Sequence, residues 1–174
     1  MLALLEIFAE LEAAVADGII ERYAVDGAVG ATFYIEPAAT QDVDVFVVFD
    51  PSASLLVSLA PIHDYFTKRG AVVHNEHLVI AEWPVQFLPA ATPLVDDALV
   101  HAVHMSVDGQ AVAVLSQEHL AAIALETGRM KDKIRLAQFL ASGTFERLRF
   151  DALTERFGLT EKWARFVALM EDQS

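Results

Sequence analysis

From Leu2 to Ala16 apolar residues recur at helical spacing while Glu6, Glu10 and Glu12 fall on the other side, and Asp17-Gly18 supplies a stop. The pattern predicts an N-terminal packing helix. Ile19 to Val25 leads into the next element, and Gly27 to Tyr34 is small and apolar enough for a short helix, ended by Pro37. The period then changes. Val43 to Phe49 is dense in β-branched and aromatic residues and is bounded by Asp50-Pro51, the pattern of a buried strand. A helix is expected from Leu55 to Lys68, closed by Gly70. Val72-Val73 and Leu78 to Ala81 read as a hairpin turning around His74 to His77, and Val85 to Leu88, between Pro84 and Pro89, as another short strand. Asp96 to Val103 has weak helical character, and Asp108-Gly109 is a hairpin turn between Val103 to Val107 and Ala111 to Leu115. After that the period is helical. Ser116 with Glu118 and His119 opens a helix to Glu126, Met130 to Leu140 is amphipathic, and two more helices fall around Phe145 to Phe157 and Thr160 to Met170. No internal repeat or low-complexity linker interrupts the pattern.

A chain of 174 residues, 55% of them hydrophobic, suits one such α/β domain with a real core. Its apolar runs fall far short of the roughly 20 residues a membrane-spanning helix needs. Glu6, Glu10 and Glu12 stand where a secretory leader would carry a basic region and an unbroken apolar stretch, so a cytoplasmic protein is expected. The absence of cysteine excludes disulfides, thiolate metal sites and cysteine nucleophiles. The net charge of −13 is unevenly spread. Up to residue 128, Arg22, Lys68 and Arg69 face 18 acids, whereas from Arg129 onward nine basic residues face seven. A polyanion such as RNA would be repelled by the first part and accepted only near the C-terminal helices.

Chemistry concentrates in Thr40-Gln-Asp42-Val-Asp44. On a strand successive side chains alternate, so Asp42 and Asp44 project from one face with carboxylates close enough to share a divalent cation. Charge placed at the start of an otherwise apolar strand is costly unless a hard cation such as Mg2+ relieves it. The plainer reading, two solvated acids flanking a strand, stays open for an isolated Asp-x-Asp.

The segment from Tyr23 to Phe49, with a Gly-containing loop at Val25 to Ala28 and then Asp-Val-Asp on a strand, resembles the nucleotidyltransferase superfamily of DNA polymerase beta type. Pro37-Ala-Ala-Thr40 resembles the stretch before the acids in the small AbiEii-like members. A second stretch, Leu120 to Asp132 with Arg129-Met-Lys131-Asp132, resembles the Arg-x-Lys-Asp segment of the same minimal nucleotidyltransferases. The resemblance implies a small mixed nucleotidyltransferase-type sheet flanked by helices (α/β, α+β) over residues 1–115. A C-terminal helical region over 116–174 would pack on it as one compact unit. It implies Asp42 and Asp44 as catalytic metal ligands for Mg2+, with Gly27, Ala28, Thr40, Arg129 and Lys131 on a nucleoside triphosphate. Asp132 would orient the basic pair by an ion pair. The implied activity is transfer of a nucleoside monophosphate to a hydroxyl, with RNA, tRNA included, as a possible acceptor in a toxin-antitoxin setting.

The pattern departs from that family in three places. Ala28 replaces the second small residue of the loop, Ala38 stands where arginine is usual, and Gln86 occupies the position of a third acid on a neighbouring strand. An amide neither binds metal well nor accepts a proton. Glu82 would share a face with Gln86 if the strand is regular, although Pro84 lies between them. The alternative function is therefore a catalytically impaired binding or regulatory module, paired with a partner protein. The pairs His74/His77 and His101/His104 invite a zinc reading, but each lacks the further ligands zinc needs.

Overall fold

The alternation along Val43 to Val48 decides the layering of the molecule. Val43, Val45 and Val47 are fully buried in one apolar cluster with Ile7, Phe8, Leu11, Phe66 and Phe87, while Phe46 and Val48 pack against a second with Leu94, Ala98, Leu115 and Leu120. One strand thus feeds a core on each face, which requires helices on both sides of the sheet.

The computed structural model describes residues 2–49 and 59–171. In chain order the elements are α1 (Leu2–Ala16), β1 (Arg22–Val25), α2 (Gly27–Ala31), β2 (Val43–Val48), α3 (Ala60–Lys68), β3 (Val72–His74), β4 (His77–Ile80), β5 (Trp83–Pro89), α4 (Pro93–Val100), β6 (Val103–Val107), β7 (Gln110–Val114), α5 (Gln117–Thr127), α6 (Met130–Ala141), α7 (Arg147–Arg156) and α8 (Thr160–Glu171). The strands form one seven-stranded sheet in the order β3-β4-β5-β2-β1-β7-β6. It is mixed: β2 runs parallel to β5 and β1 parallel to β7, and the other neighbouring pairs are antiparallel. The fold is α/β, as expected. Helices α1 and α3 supply the first cluster, and α4 to α8 the second. Among the described residues, no helix is long and apolar enough to cross a membrane.

Several elements differ from the expectation. Arg22–Val25 is an interior strand of the sheet, between β2 and β7, with three of its four residues buried; four residues are too short to show a period. The short helix stops at Ala31, where Thr32 caps it and donates its hydroxyl to Val29 O. Helix α4 begins earlier than Asp96, because Thr92 accepts from the Val95 amide and Pro93 follows at the first helical position. Strand β5 takes in both Pro84 and Pro89. It pairs with β2 only from Val85 onward, so Pro84 withholds no donor from that neighbour. Of the expected helix from Leu55 to Lys68, Ala60–Lys68 is observed; residues 55–58, like Asp50, lie outside the described residues.

Candidate functional site

The site begins where β1 ends. The Asp26 amide donates to Asp44 O on β2 at 2.9 Å, and the chain then turns through Gly27, at φ +65°, into α2. A Cβ at Gly27 would lie 2.3 Å from Asp44 Oδ2, and one at Gly30 would lie 2.7 Å from Val25 O. Both positions therefore need glycine: the first leaves the Asp44 carboxylate open on that side, the second lets α2 sit on the end of β1.

Asp42, just before β2, and Asp44, within it, share the face opposite Val43 and Val45, and both line a cleft of about 360 Å³. Thr40 donates its hydroxyl to Asp42 O at 3.0 Å and Asp42 Oδ1 at 3.1 Å, which sets the direction of that carboxylate. On the next strand Gln86 is registered directly beside Asp44. Across the cleft the start of α6 presents Arg129, Lys131 and Arg135. Asp132, 2% exposed, accepts from Arg129 Nε at 2.7 Å and faces Arg135 Nη1 at 3.7 Å.

The structure thus brings Gly27, Ala28, Thr40, Asp42, Asp44, Gln86, Arg129 and Lys131 to one cleft. Glu82 is not among its lining residues. Ala81 and Glu82, at φ +49° and +69°, form the two-residue turn joining β4 to β5, so Glu82 precedes the strand and shares no regular face with Gln86. Asp132 pairs with Arg129, as expected, but its second partner is Arg135 rather than Lys131. Two charged residues of the cleft escaped the sequence reading: Asp26 and Arg135. Arg135 follows Lys131 by one helical turn, a spacing that could have flagged it. Asp26 carried no signal beyond standing next to Gly27.

Charge in the cleft is balanced unevenly. Burial raises the pKa of Asp44, the neighbouring Asp42 raises it further, and Lys131, Arg135 and Arg129 oppose both. Burial pushes Asp26 up to about 6, with the charges of Asp44 and Asp132 adding to it and the Gly27 amide and Arg135 opposing. The donor set at the crowded end is all oxygen, and repulsion between its carboxylates is what a hard divalent cation relieves, so the residues fit Mg2+.

No protein-family model matches the chain, and no curated protein matches it in sequence. Solved structures do match. An antigenic nucleotidyltransferase-like protein from Paracoccidioides brasiliensis superposes with a TM-score of 0.60 at 14% identity, over 79% of this chain and 74% of that one. The antibiotic-resistance factor ANT(2'')-Ia in solution gives 0.56 at 13% identity, over 98% and 96%. ANT(2'')-Ia in complex with adenylyl-2''-tobramycin gives 0.56 at 11%, over 94% and 98%. At these identities the likeness is one of fold. The chain has the fold of nucleotidyltransferase-like proteins, and its carboxylate cleft lies at the meeting of β1, β2, β5 and α6.

Proposed function

We propose that this chain is a Mg2+-dependent nucleotidyltransferase that moves a nucleoside monophosphate from a nucleoside triphosphate to a hydroxyl acceptor. One observation carries the reading: Asp42 and Asp44 face Arg129, Lys131 and Arg135 across a single cleft, with the side-chain-free Gly27 against Asp44. Asp42 and Asp44 would hold the metal, with Thr40 fixing the direction of Asp42. When bound, the metal offsets negative charge developing on the transferred phosphoryl group. Arg129 and Lys131 bind the triphosphate, and Asp132 holds Arg129 in place.

The proton of the acceptor hydroxyl needs a base that Gln86 cannot supply. In the strand order β5-β2-β1, Gln86 lies to one side of Asp44 and Asp26 to the other. Asp26 is the third carboxylate at this end of the cleft, and we assign it the role that Gln86 leaves vacant.

The acceptor that suits the charge distribution is a cationic, hydroxyl-bearing small molecule, because 18 acids crowd the first 128 residues. The ANT(2'')-Ia complex contains an adenylylated compound of that kind, tobramycin. An RNA acceptor, the AbiEii-like reading, would have to approach by the basic helices after Arg129. A second reading, a nucleotide-binding module without turnover, is favoured by Gln86 in register with Asp44.

The test is calorimetric titration of Mg2+ with each nucleoside triphosphate into the wild type and into Asp42→Ala/Asp44→Ala. It is followed by transfer assays with labelled triphosphate and either tobramycin or tRNA. Binding by the wild type alone, with label transferred to tobramycin, supports the reading. Absence of binding by the wild type sinks it. Binding without transfer to either acceptor, restored by Gln86→Asp, favours the module without turnover.

A further inference from the structure

The histidines pair in the fold differently from the way they pair in sequence. His74 and His77 face each other across the β3–β4 hairpin, and His104 is exposed on β6. His101, the residue capping the C-terminal end of α4, instead stacks on His119 in the first turn of α5, ring centroids 5.7 Å apart and planes 15° apart. Asp97, one helical turn before His101, completes the group. The ligand atoms of the three residues lie within 4.8 Å of one another.

Asp97 Oδ2 is 3.0 Å from His119 Nε2 and 3.4 Å from His101 Nδ1. Two ligands each about 2.0–2.1 Å from a tetrahedral zinc ion are separated by roughly 3.3–3.4 Å, so these spacings need little rearrangement to take one. The supporting shell is already in place. Arg156 Nη1 holds the other carboxylate oxygen, Asp97 Oδ1, at 2.8 Å and leaves Oδ2 to the histidines. Ser116 Oγ lies 2.8 Å from His119 Nδ1. Without metal, His119 Nε2–H donates to the Asp97 carboxylate and Nδ1 accepts from the serine hydroxyl. With metal on Nε2, the ring proton sits on Nδ1 and donates to the same hydroxyl oxygen. A serine can take either part, so the buried ring, 1% exposed, is satisfied in both states. His101, half exposed, gives up its 2.8 Å contact with Asp97 O and offers the entry path.

We propose that Asp97, His101 and His119 form a zinc site that ties α4 to α5, with the fourth coordination position open to water beside His101. Two imidazoles and one carboxylate favour zinc over Mg2+, which separates this site chemically from the all-oxygen cleft of Asp42 and Asp44. The ion would add a coordinate link to a junction whose polar edge is now held by hydrogen bonds and ion pairs. That junction joins a helix of the sheet layer to a helix of the C-terminal bundle, and through Arg156 it reaches α7.

The experiment titrates Zn2+ alone into the metal-free full chain against a competing colorimetric chelator, with thermal melting in parallel. The expected result is one zinc per chain and a higher melting temperature. His101→Ala, at a half-exposed position at the end of α4, should weaken binding by at least about tenfold. His74→Ala/His77→Ala and Asp42→Ala/Asp44→Ala should bind as the wild type does. Failure of the wild type to bind at micromolar zinc would overturn the proposal, as would His101→Ala binding equally well. So would loss of binding in either control pair with His101→Ala unaffected.

Discussion

Gly27 is the residue at which the cleft tolerates least change. Its backbone is left-handed, and a methyl group there would meet Asp44 Oδ2 at 2.3 Å. Gly27→Ala is expected to cost about 1–3 kcal/mol of stability and to turn the Asp44 carboxylate aside. The variant should still fold but bind Mg2+ and nucleotide at least about tenfold more weakly, and paired denaturation and calorimetry would check both. A variant that binds normally would show that Asp44 does not need this opening. Asp26 makes a prediction of opposite sign. Its carboxyl titrates at 3.8 when solvated and at about 6 in the fold, so the folded state holds the proton more tightly. The stability this contributes is complete below 3.8 and is lost as pH rises through 6. In metal-free solution Asp26→Asn should therefore gain on the wild type from about pH 4 upward, reaching at most about 3 kcal/mol near neutrality. Urea denaturation at several pH values measures it, and a difference that stays flat across that window would contradict the burial of this charge.

At the scale of elements, the start of α6 is organised around one buried acid, while Leu136 and Phe139 anchor the helix in the second apolar cluster. Asp132, in its first turn, complements the helix N-terminus while pairing with Arg129 and Arg135. Arg129 is mostly exposed, so its pair adds little by itself, whereas Arg135 is only 16% exposed and would be left with an uncompensated charge. Asp132→Ala should destabilise by about 2–4 kcal/mol. With Arg129 released, the KM for nucleoside triphosphate should rise more than kcat falls; equal effects on both would place Asp132 elsewhere in the reaction. The next helices are tied down by polar contacts that look like surface residues in the sequence. Gln117 donates to Ser142 and accepts from Thr144, and Glu118 accepts from the Glu146 amide at 3.1 Å; both side chains are buried at the start of α5. These contacts fix the connection from α6 to α7.

For the whole molecule the dominant fact is a net charge of −13, carried entirely by the part that holds the sheet. Such a chain repels itself, and any cation eases that repulsion by screening. Only a bound divalent ion should do more. Millimolar MgCl2 is expected to raise the melting temperature beyond NaCl of matched ionic strength, and Asp42→Ala/Asp44→Ala should lose the excess while keeping the salt response. Equal effects of the two salts on the wild type would count against a specific site.

What the sequence determined by itself is local. The period of α1, the β-branched run of β2, the Asp-Gly turn before β7 and the serine that opens α5 all act within a few residues, and each is found where its chemistry predicts. In the two segments that carry the cleft, strand alternation puts Asp42 and Asp44 on one face, whereas Gly27, Arg129 and Lys131 are marked only by resemblance to nucleotidyltransferases. Other features depend on partners distant in the chain. Four residues of β1 become an interior strand because β2 and β7 flank them. Glu82 is removed from the cleft by a turn whose left-handed residues carry no glycine to mark it. Asp26 gains its raised pKa from burial beside Asp44, and His101 meets His119 rather than His104 because α4 and α5 pack against each other. Those outcomes rest on burial and on contacts between distant segments, and only the tertiary structure decided them.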